Sequence, residues 1–212
     1  MEKNIAPVLI SFSHSQTLNA WVDLAASIFP GVHENRKREW ALGREALRLS
    51  FAKVGIDFPI APHELIGYQS LLRFPEWIFS LSHSKEWGGA LLLPKNNLVG
   101  VGLDLELNSR QITADISNRM SHEQDECEGL TLWSAKEAAY KTLPPEVQEK
   151  IWLNQICIKK THFKVESFAI EGEWNLVSHP ELCVVSALGL PPRPISQSFI
   201  PFLGMGQDFQ LK

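Results

Sequence analysis

Residues 101–107, VGLDLEL in one-letter code, alternate apolar side chains with small or acidic ones. Because side chains of a β-strand alternate between its two faces, this pattern predicts a strand whose second face carries Asp104 and Glu106. The two carboxylates would lie roughly 6 to 7 Å apart on that face. Like charges so close repel one another unless one is protonated or a cation lies between them. The alternative is that this face simply meets water, as in many antiparallel sheets.

The composition of the 212-residue chain is that of a soluble globular protein, with 44% apolar residues, 21% charged residues and a net charge of −4. No apolar run approaches the roughly 20 residues that span a bilayer, and the N-terminus has no signal-peptide pattern. Cys127, Cys157 and Cys183 belong to no paired motif, which favours reduced thiols. We therefore expect a cytoplasmic monomer that binds neither membranes nor nucleic acid.

The patterns on either side of the 101–107 strand predict alternating helices and short strands. Apolar periodicity and Pro or Gly stops predict helices at 16–29, 34–56, 115–126 and 130–143. Further strands are predicted at 6–13, 76–84, 88–94, 153–160, 163–170 and 181–188. The Pro-rich end of the chain is expected to wrap over the surface. This order of elements indicates the α+β class.

Two pairs of similar segments suggest an internal repeat. WALGREAL at 40–47 resembles WSAKEAAY at 133–140, and LSHSKEWGGALLL at 81–93 resembles VSHPELCVVSAL at 177–188. The offset is 92 residues from Glu45 to Glu137 and 96 from His83 to His179. Two matches in the same order predict two similar α+β halves, and a site between the halves would draw residues from both.

The helix predicted at 130–143 carries a second group of charges. Glu137 and Lys141 are four residues apart and so share a helix face. The ordinary explanation is a surface ion pair worth about 0.2–0.5 kcal/mol. Next to the two strand carboxylates, however, Glu137 would supply a third oxygen ligand and the lysine a contact for phosphate. Mg²⁺ suits such a site, because it prefers oxygen ligands and bridges phosphate groups.

Four motifs together resemble the surfactin-synthetase type of 4′-phosphopantetheinyl transferases. VGLDLE at 101–106 and WSAKEAAYK at 133–141 are similar to the paired signature of that family. FSLSHS at 79–84 is similar to its apolar strand ending in Ser-His, and GREALR at 43–48 to an earlier helical motif. The motifs stand in the family's order along the chain.

The resemblance implies the 4′-phosphopantetheinyl transferase fold, which has two tandem pseudo-symmetric α+β halves and an active site at their interface. Residues 1–98 would form the N-terminal half, with the coenzyme A phosphate contacts. Residues 99–212 would form the C-terminal half, with the metal site and the catalytic helix.

The activity implied is the Mg²⁺-dependent transfer of 4′-phosphopantetheine from coenzyme A to a serine of an apo acyl or peptidyl carrier protein, with release of adenosine 3′,5′-bisphosphate. One alternative is a metal-dependent hydrolase of coenzyme A or related diphosphates, in which water replaces the serine. Another is a non-catalytic module that binds carrier proteins. The intact set of three carboxylates and a lysine argues against the module.

The resemblance also implies the residues of the metal site and of catalysis. Asp104, Glu106 and Glu137 would bind Mg²⁺. Glu137 would in addition accept the proton of the serine hydroxyl, directly or through a water molecule. Lys141 would bind the diphosphate and stabilise charge as the bond breaks.

The coenzyme A contacts are implied in the same way. Ser82 and His83 would meet the phosphates, and Arg44 the 3′-phosphate. Lys136 would contact phosphate as well, and Asp104 would face the diphosphate through the metal.

Overall fold

The computed structural model describes residues 9–15, 18–57, 73–96 and 98–191. These residues form five α-helices and two antiparallel sheets, so the α+β class is confirmed. No helix among them is long and apolar enough to cross a membrane. The start of the first predicted strand, residues 6–8, and the Pro-rich end beyond residue 191 lie outside the described residues.

The first sheet contains three strands in the order β1-β3-β2. Its strands are β1 (Leu9–His14), β2 (Trp77–Ser84) and β3 (Trp87–Pro94), and between β1 and β2 come the helices α1 (Asn19–Ile28) and α2 (Glu34–Ala52). Helix α2 covers one face of the sheet, where Leu42 and Leu47 pack with Phe79 and Leu92 in a buried core. The apolar stripe predicted for residues 34–56 therefore faces this sheet.

The second sheet contains five strands in the order β4-β8-β7-β6-β5. They are β4 (Gly100–Leu107), β5 (Cys157–Ile158), β6 (His162–Val165), β7 (Ile170–Val177) and β8 (Leu182–Leu190); the helices are α3 (Ala114–Met120), α4 (Gly129–Lys141) and α5 (Pro145–Gln148). Helix α4 lies so close to β4 that a Cβ at Gly102 would stand 1.8 Å from the Ala138 carbonyl oxygen. Glycine is thus required at this close approach.

The two sheets pack against each other between α2 and α4. Ile78 and Leu91 of the first sheet share one buried core with Leu103, Leu105 and Val184 of the second. The apolar face predicted for β4 is therefore the face toward the first sheet. Its other face lies under α4 and carries Gly102 and Asp104.

Three of the predicted elements differ from the structure. Helix α3 ends at Met120 rather than at 126, because the following backbone turns to place the Asp125 carboxylate on the His122 N–H. Of the strand predicted at 153–160 only β5 pairs, since Leu153–Gln155 forms a 3₁₀ turn. The strand predicted at 163–170 ends at Val165, because Glu166–Phe168 forms a 3₁₀ turn and Ala169 is left-handed with a φ of 50°; β7 begins after it.

Candidate functional site

Strands β2 and β4 lie side by side where the two sheets meet. Backbone N–H groups of β4 donate hydrogen bonds to serine hydroxyls of β2, not to its backbone carbonyl oxygens. The Ser80 hydroxyl accepts a hydrogen bond from Leu103 N–H (3.0 Å), and the Ser82 hydroxyl accepts one from Leu105 N–H (3.2 Å). Residue numbers rise together along both strands, so the strands run in the same direction. This contact holds Ser82 beside Asp104.

Asp104 is the centre of a buried polar cluster and is 5% exposed. Its Oδ1 accepts hydrogen bonds from Lys141 Nζ (3.0 Å) and Ser82 Oγ (3.2 Å). Its Oδ2 is buried and has no hydrogen-bond partner among the described residues. A buried carboxylate oxygen without a partner is unfavourable, which indicates a position for a ligand. The water-facing alternative for this strand face is therefore wrong at Asp104.

Lys141, in the last turn of α4, is held on the same cluster. Besides Asp104 it donates to the Leu103 carbonyl oxygen (2.8 Å) and to Ser82 Oγ (3.3 Å). Lys141 thus pairs with a strand carboxylate, whereas Glu137 forms no ion pair or hydrogen bond with the described residues. The simple surface pair between Glu137 and Lys141 is not what the structure contains.

Glu106 is held by three donors. Its Oε1 accepts hydrogen bonds from Trp133 Nε1 (3.2 Å) and from Arg110, and its Oε2 accepts one from Ser84 Oγ (3.2 Å). The guanidinium of Arg110 also lies over the Trp133 ring, 4.6 Å from its centroid. Arg110 was not predicted from the sequence; its only signal is a cation four residues after Glu106, at the end of a strand.

Glu137 projects from α4 beside these groups. Burial raises its pKa, and the nearby charge of Asp104 raises it further, whereas Lys141 and Arg110 oppose the shift. The side chain lines an opening of about 380 Å³ with Tyr140 and residues 148–153, and Asp104, Glu106 and Lys141 do not line this opening. A raised pKa makes this carboxylate a stronger base than an ordinary glutamate.

The three carboxylates predicted to bind metal are not gathered into one compact group: among the described residues, the three potential ligands within 4.8 Å of one another are those of His122, Asp125 and Cys157. Asp104, Glu106 and Glu137 are all oxygen donors, and the orphaned Oδ2 of Asp104 provides a ligand atom that no protein group satisfies. In the protein alone, Lys141 and Arg110 neutralise the two strand carboxylates. The repulsion expected between Asp104 and Glu106 is therefore relieved by two side-chain cations.

A second opening, of about 360 Å³, brings Arg44, Ser82 and His83 together. The Arg44 guanidinium stacks on Trp40, 4.9 Å from the ring centroid, and its buried Nε has no partner among the described residues. Burial lowers the pKa of Arg44 to about 10, so it remains a cation at neutral pH. Such a guanidinium in a pocket is suited to bind a phosphate.

His83 lies at the rim of the same opening. Loss of hydration lowers its pKa, and Glu39, 3.9 Å away, only partly opposes this effect. The lowered pKa favours the neutral imidazole, which is suited to act as a hydrogen-bonding group rather than as a cation. Ser82 belongs both to this opening and to the Asp104 cluster, so the two are adjacent.

Lys136 is not brought together with the other predicted residues. It is fully buried, and its Nζ is bonded to Asp125 (2.9 Å) and to the carbonyl oxygens of Leu153 and Ile156. The Lys136 side chain is 0% exposed, whereas that of Lys141 is 28% exposed, so a phosphate can reach Lys141 but not Lys136 in this structure. Lys136 therefore lies apart from the candidate site, and its phosphate contact stays a prediction.

One further cluster has the composition of a metal site. Potential ligand atoms of His122, Asp125 and Cys157 lie within 4.8 Å of one another. The Asp125 carboxylate, however, already accepts hydrogen bonds from the N–H groups of His122 (2.7 Å) and Ile158 (2.8 Å) and pairs with Lys136. Both oxygens of Asp125 therefore have partners, unlike Oδ2 of Asp104, and this network joins loops to α4.

No model of a known protein family matches the chain, and no curated protein matches it as a relative.

Proposed function

We propose that the chain is a magnesium-dependent transferase of the 4′-phosphopantetheinyl transferase type. It would move 4′-phosphopantetheine from coenzyme A to a serine of an apo acyl or peptidyl carrier protein. The observation that carries the proposal is the hydrogen-bonded cluster of Ser82, Asp104 and Lys141, because it joins three separate sequence motifs. The position of Arg44 and His83 in one adjoining pocket supports it.

The arrangement of the sheets supports the tandem fold that the proposal includes. The order β1-β3-β2 under α2 has the same connectivity as β4-β8-β7 under α4. We therefore propose two pseudo-symmetric halves, divided near residue 98, with β5 and β6 as additions to the second. The candidate site lies at β2 and β4, one strand from each half, as an interface site requires.

In this mechanism coenzyme A is held mainly by the N-terminal half. Arg44 would bind the 3′-phosphate, because its buried guanidinium loses little further hydration on meeting a dianion. His83, whose lowered pKa favours the neutral imidazole, would donate a hydrogen bond to the phosphates. Ser82 would place the diphosphate beside Asp104.

The C-terminal half would perform the phosphoryl transfer. Magnesium held by Asp104, Glu106 and Glu137 would supply neutralisation of the diphosphate charge. The serine oxygen forms a bond to the phosphorus that carries pantetheine, and the bond from that phosphorus to the bridging oxygen breaks. Lys141 would stabilise the charge that passes to adenosine 3′,5′-bisphosphate, and Glu137 would accept the serine proton.

The test is incubation of the protein with coenzyme A, Mg²⁺ and a panel of apo carrier proteins, followed by mass spectrometry of the carriers. A gain of one phosphopantetheine at the carrier serine is the expected result. Free phosphopantetheine with unmodified carriers would instead establish the hydrolase, and binding without product the non-catalytic module. The Glu137→Gln protein is the matched control, since it keeps the shape of the side chain but cannot serve as a base.

A further inference from the structure

Arg110 forms an ion pair with Glu106, one of the three carboxylates of the proposed metal site. Its guanidinium donates to Glu106 Oε1 and stacks on Trp133. A cation in this place stands among the groups that a divalent metal would use.

We infer that Arg110 is a built-in competitor of the metal: it neutralises Glu106 in the metal-free protein, leaves that carboxylate when the metal binds, and so lowers the metal affinity of the site. The inference rests on the proposed function for the identity of the metal ligands. It adds a residue that none of the four sequence motifs contains.

The two side-chain cations of the site differ in how firmly they are held. Lys141 donates to a backbone carbonyl and a serine as well as to Asp104, so it keeps two partners if Asp104 turns to a metal. The Arg110 side chain is 35% exposed, lies three residues after the end of β4, and contacts Glu106 and the face of Trp133. It can therefore slide along the indole toward solvent while it keeps the stacking contact.

The competition has a direct electrostatic cause. A positive guanidinium within contact distance of a ligand oxygen repels a divalent cation at that oxygen. Glu106 can bind either Arg110 or the metal, so the metal must break the Arg110 contact when it binds. Removing Arg110 should therefore strengthen metal binding by the free energy of that contact. The opposite result is expected if Arg110 serves to hold Glu106 in position for the metal.

The experiment measures metal binding directly, without substrate turnover. Mn²⁺ binding to the metal-free protein is followed by the loss of the free-ion electron paramagnetic resonance signal, and Mg²⁺ binding by calorimetry. The variants are Arg110→Met, which keeps an apolar cover on Trp133, Arg110→Gln and Arg110→Lys. Arg119→Gln is the matched control, because Arg119 pairs with Asp115 on exposed α3 and its side chain is 78% exposed.

We expect Arg110→Met and Arg110→Gln to bind metal roughly tenfold more tightly than the wild type, Arg110→Lys to stay close to the wild type, and Arg119→Gln to be unchanged. If the wild type binds metal and Arg110→Met and Arg110→Gln bind it no more tightly, the role of Arg110 is overturned but the metal site is not. Absence of metal binding in the wild type and in all variants, with coenzyme A present, would overturn the metal site of the proposed function as well.

Discussion

Helices α2 and α4 both carry a basic residue followed by a glutamate, and the two helices use this step in opposite ways. In α2 the acid is internal: Glu45 accepts two hydrogen bonds from Arg48 (2.7 and 2.8 Å) and one from Trp21 Nε1 (2.8 Å). The base, Arg44, lines an open pocket and retains a buried donor without a partner among the described residues.

In α4 the base is internal and the acid is open. Lys136 is fully buried in its pair with Asp125, whereas Glu137 lines an opening and has no partner among the described residues. Consecutive residues of an α-helix are about 100° apart around its axis, so the basic residue and the glutamate cannot both face the core. The orientation of the helix on its sheet decides which of them does. A motif therefore assigns the type of residue at a site, and packing assigns its role.

The largest effect is expected for the open acid. Glu137→Gln should lower the turnover of carrier modification by about 10²–10⁴-fold, the usual contribution of a general base, while the apparent affinity for coenzyme A changes little. The measurement is steady-state kinetics with a carrier that the panel experiment shows to be modified. Glu45→Gln is the matched change in α2: it should keep turnover and lower the free energy of unfolding by about 1 kcal/mol, because Arg48 and Trp21 lose a charged acceptor. Equal turnover in the wild type and Glu137→Gln would remove Glu137 from the base role.

The next effect concerns the internal base. Asp125→Asn should lower the free energy of unfolding by about 3 kcal/mol, because it leaves the Lys136 ammonium buried without its counter-ion. Urea unfolding followed by tryptophan fluorescence measures this change. Lys136→Met should likewise be less stable, yet the folded variant should bind coenzyme A as the wild type does. A selective loss of coenzyme A affinity in a stable Lys136→Met protein would support the phosphate contact predicted from the sequence.

A smaller effect is expected for the open base. Arg44→Ala should weaken coenzyme A binding by about 1.5–3 kcal/mol, the value of a hydrogen bond to a charged group. Dephospho-coenzyme A, which lacks the 3′-phosphate, should bind the wild type and Arg44→Ala almost equally. Calorimetric titration of both ligands makes the comparison, and an equal loss with both would mean that Arg44 contacts another part of the ligand or supports the fold.

The smallest effect is the pH dependence that Glu137 gives to the stability of the metal-free protein. Its folded pKa is raised by burial, so between the ordinary pKa and the raised one the folded state holds a proton that the unfolded chain has lost. This contribution to the free energy of unfolding is complete below the ordinary pKa and is lost as the pH rises through the folded pKa. Glu137→Gln should lack it. Urea titrations of both proteins at a series of pH values, with a chelator present, should give a flatter curve for the variant.

The sequence by itself determined the local structure around the site. The alternation at 101–107 predicted strand β4, and the periodic patterns predicted α2 and α4 to within a few residues at their starts, because these signals depend on neighbours close in the chain. It also singled out Asp104, Ser82 and Lys141 as polar residues of one site. Strand β7 escaped prediction, since its charged residues weaken the pattern and its pairing with β6 and β8 holds it in place.

Only the tertiary structure decided which of these residues meet and which turn away. Ser82 and Lys141 are 59 residues apart, and their contact exists because β2 and β4 adjoin and a glycine lets α4 lie on β4. The same packing buried Lys136 against Asp125 and placed Arg110 on Glu106. The direction of a charged side chain depends on the desolvation and counter-ions that distant segments supply, and no local pattern contains that information.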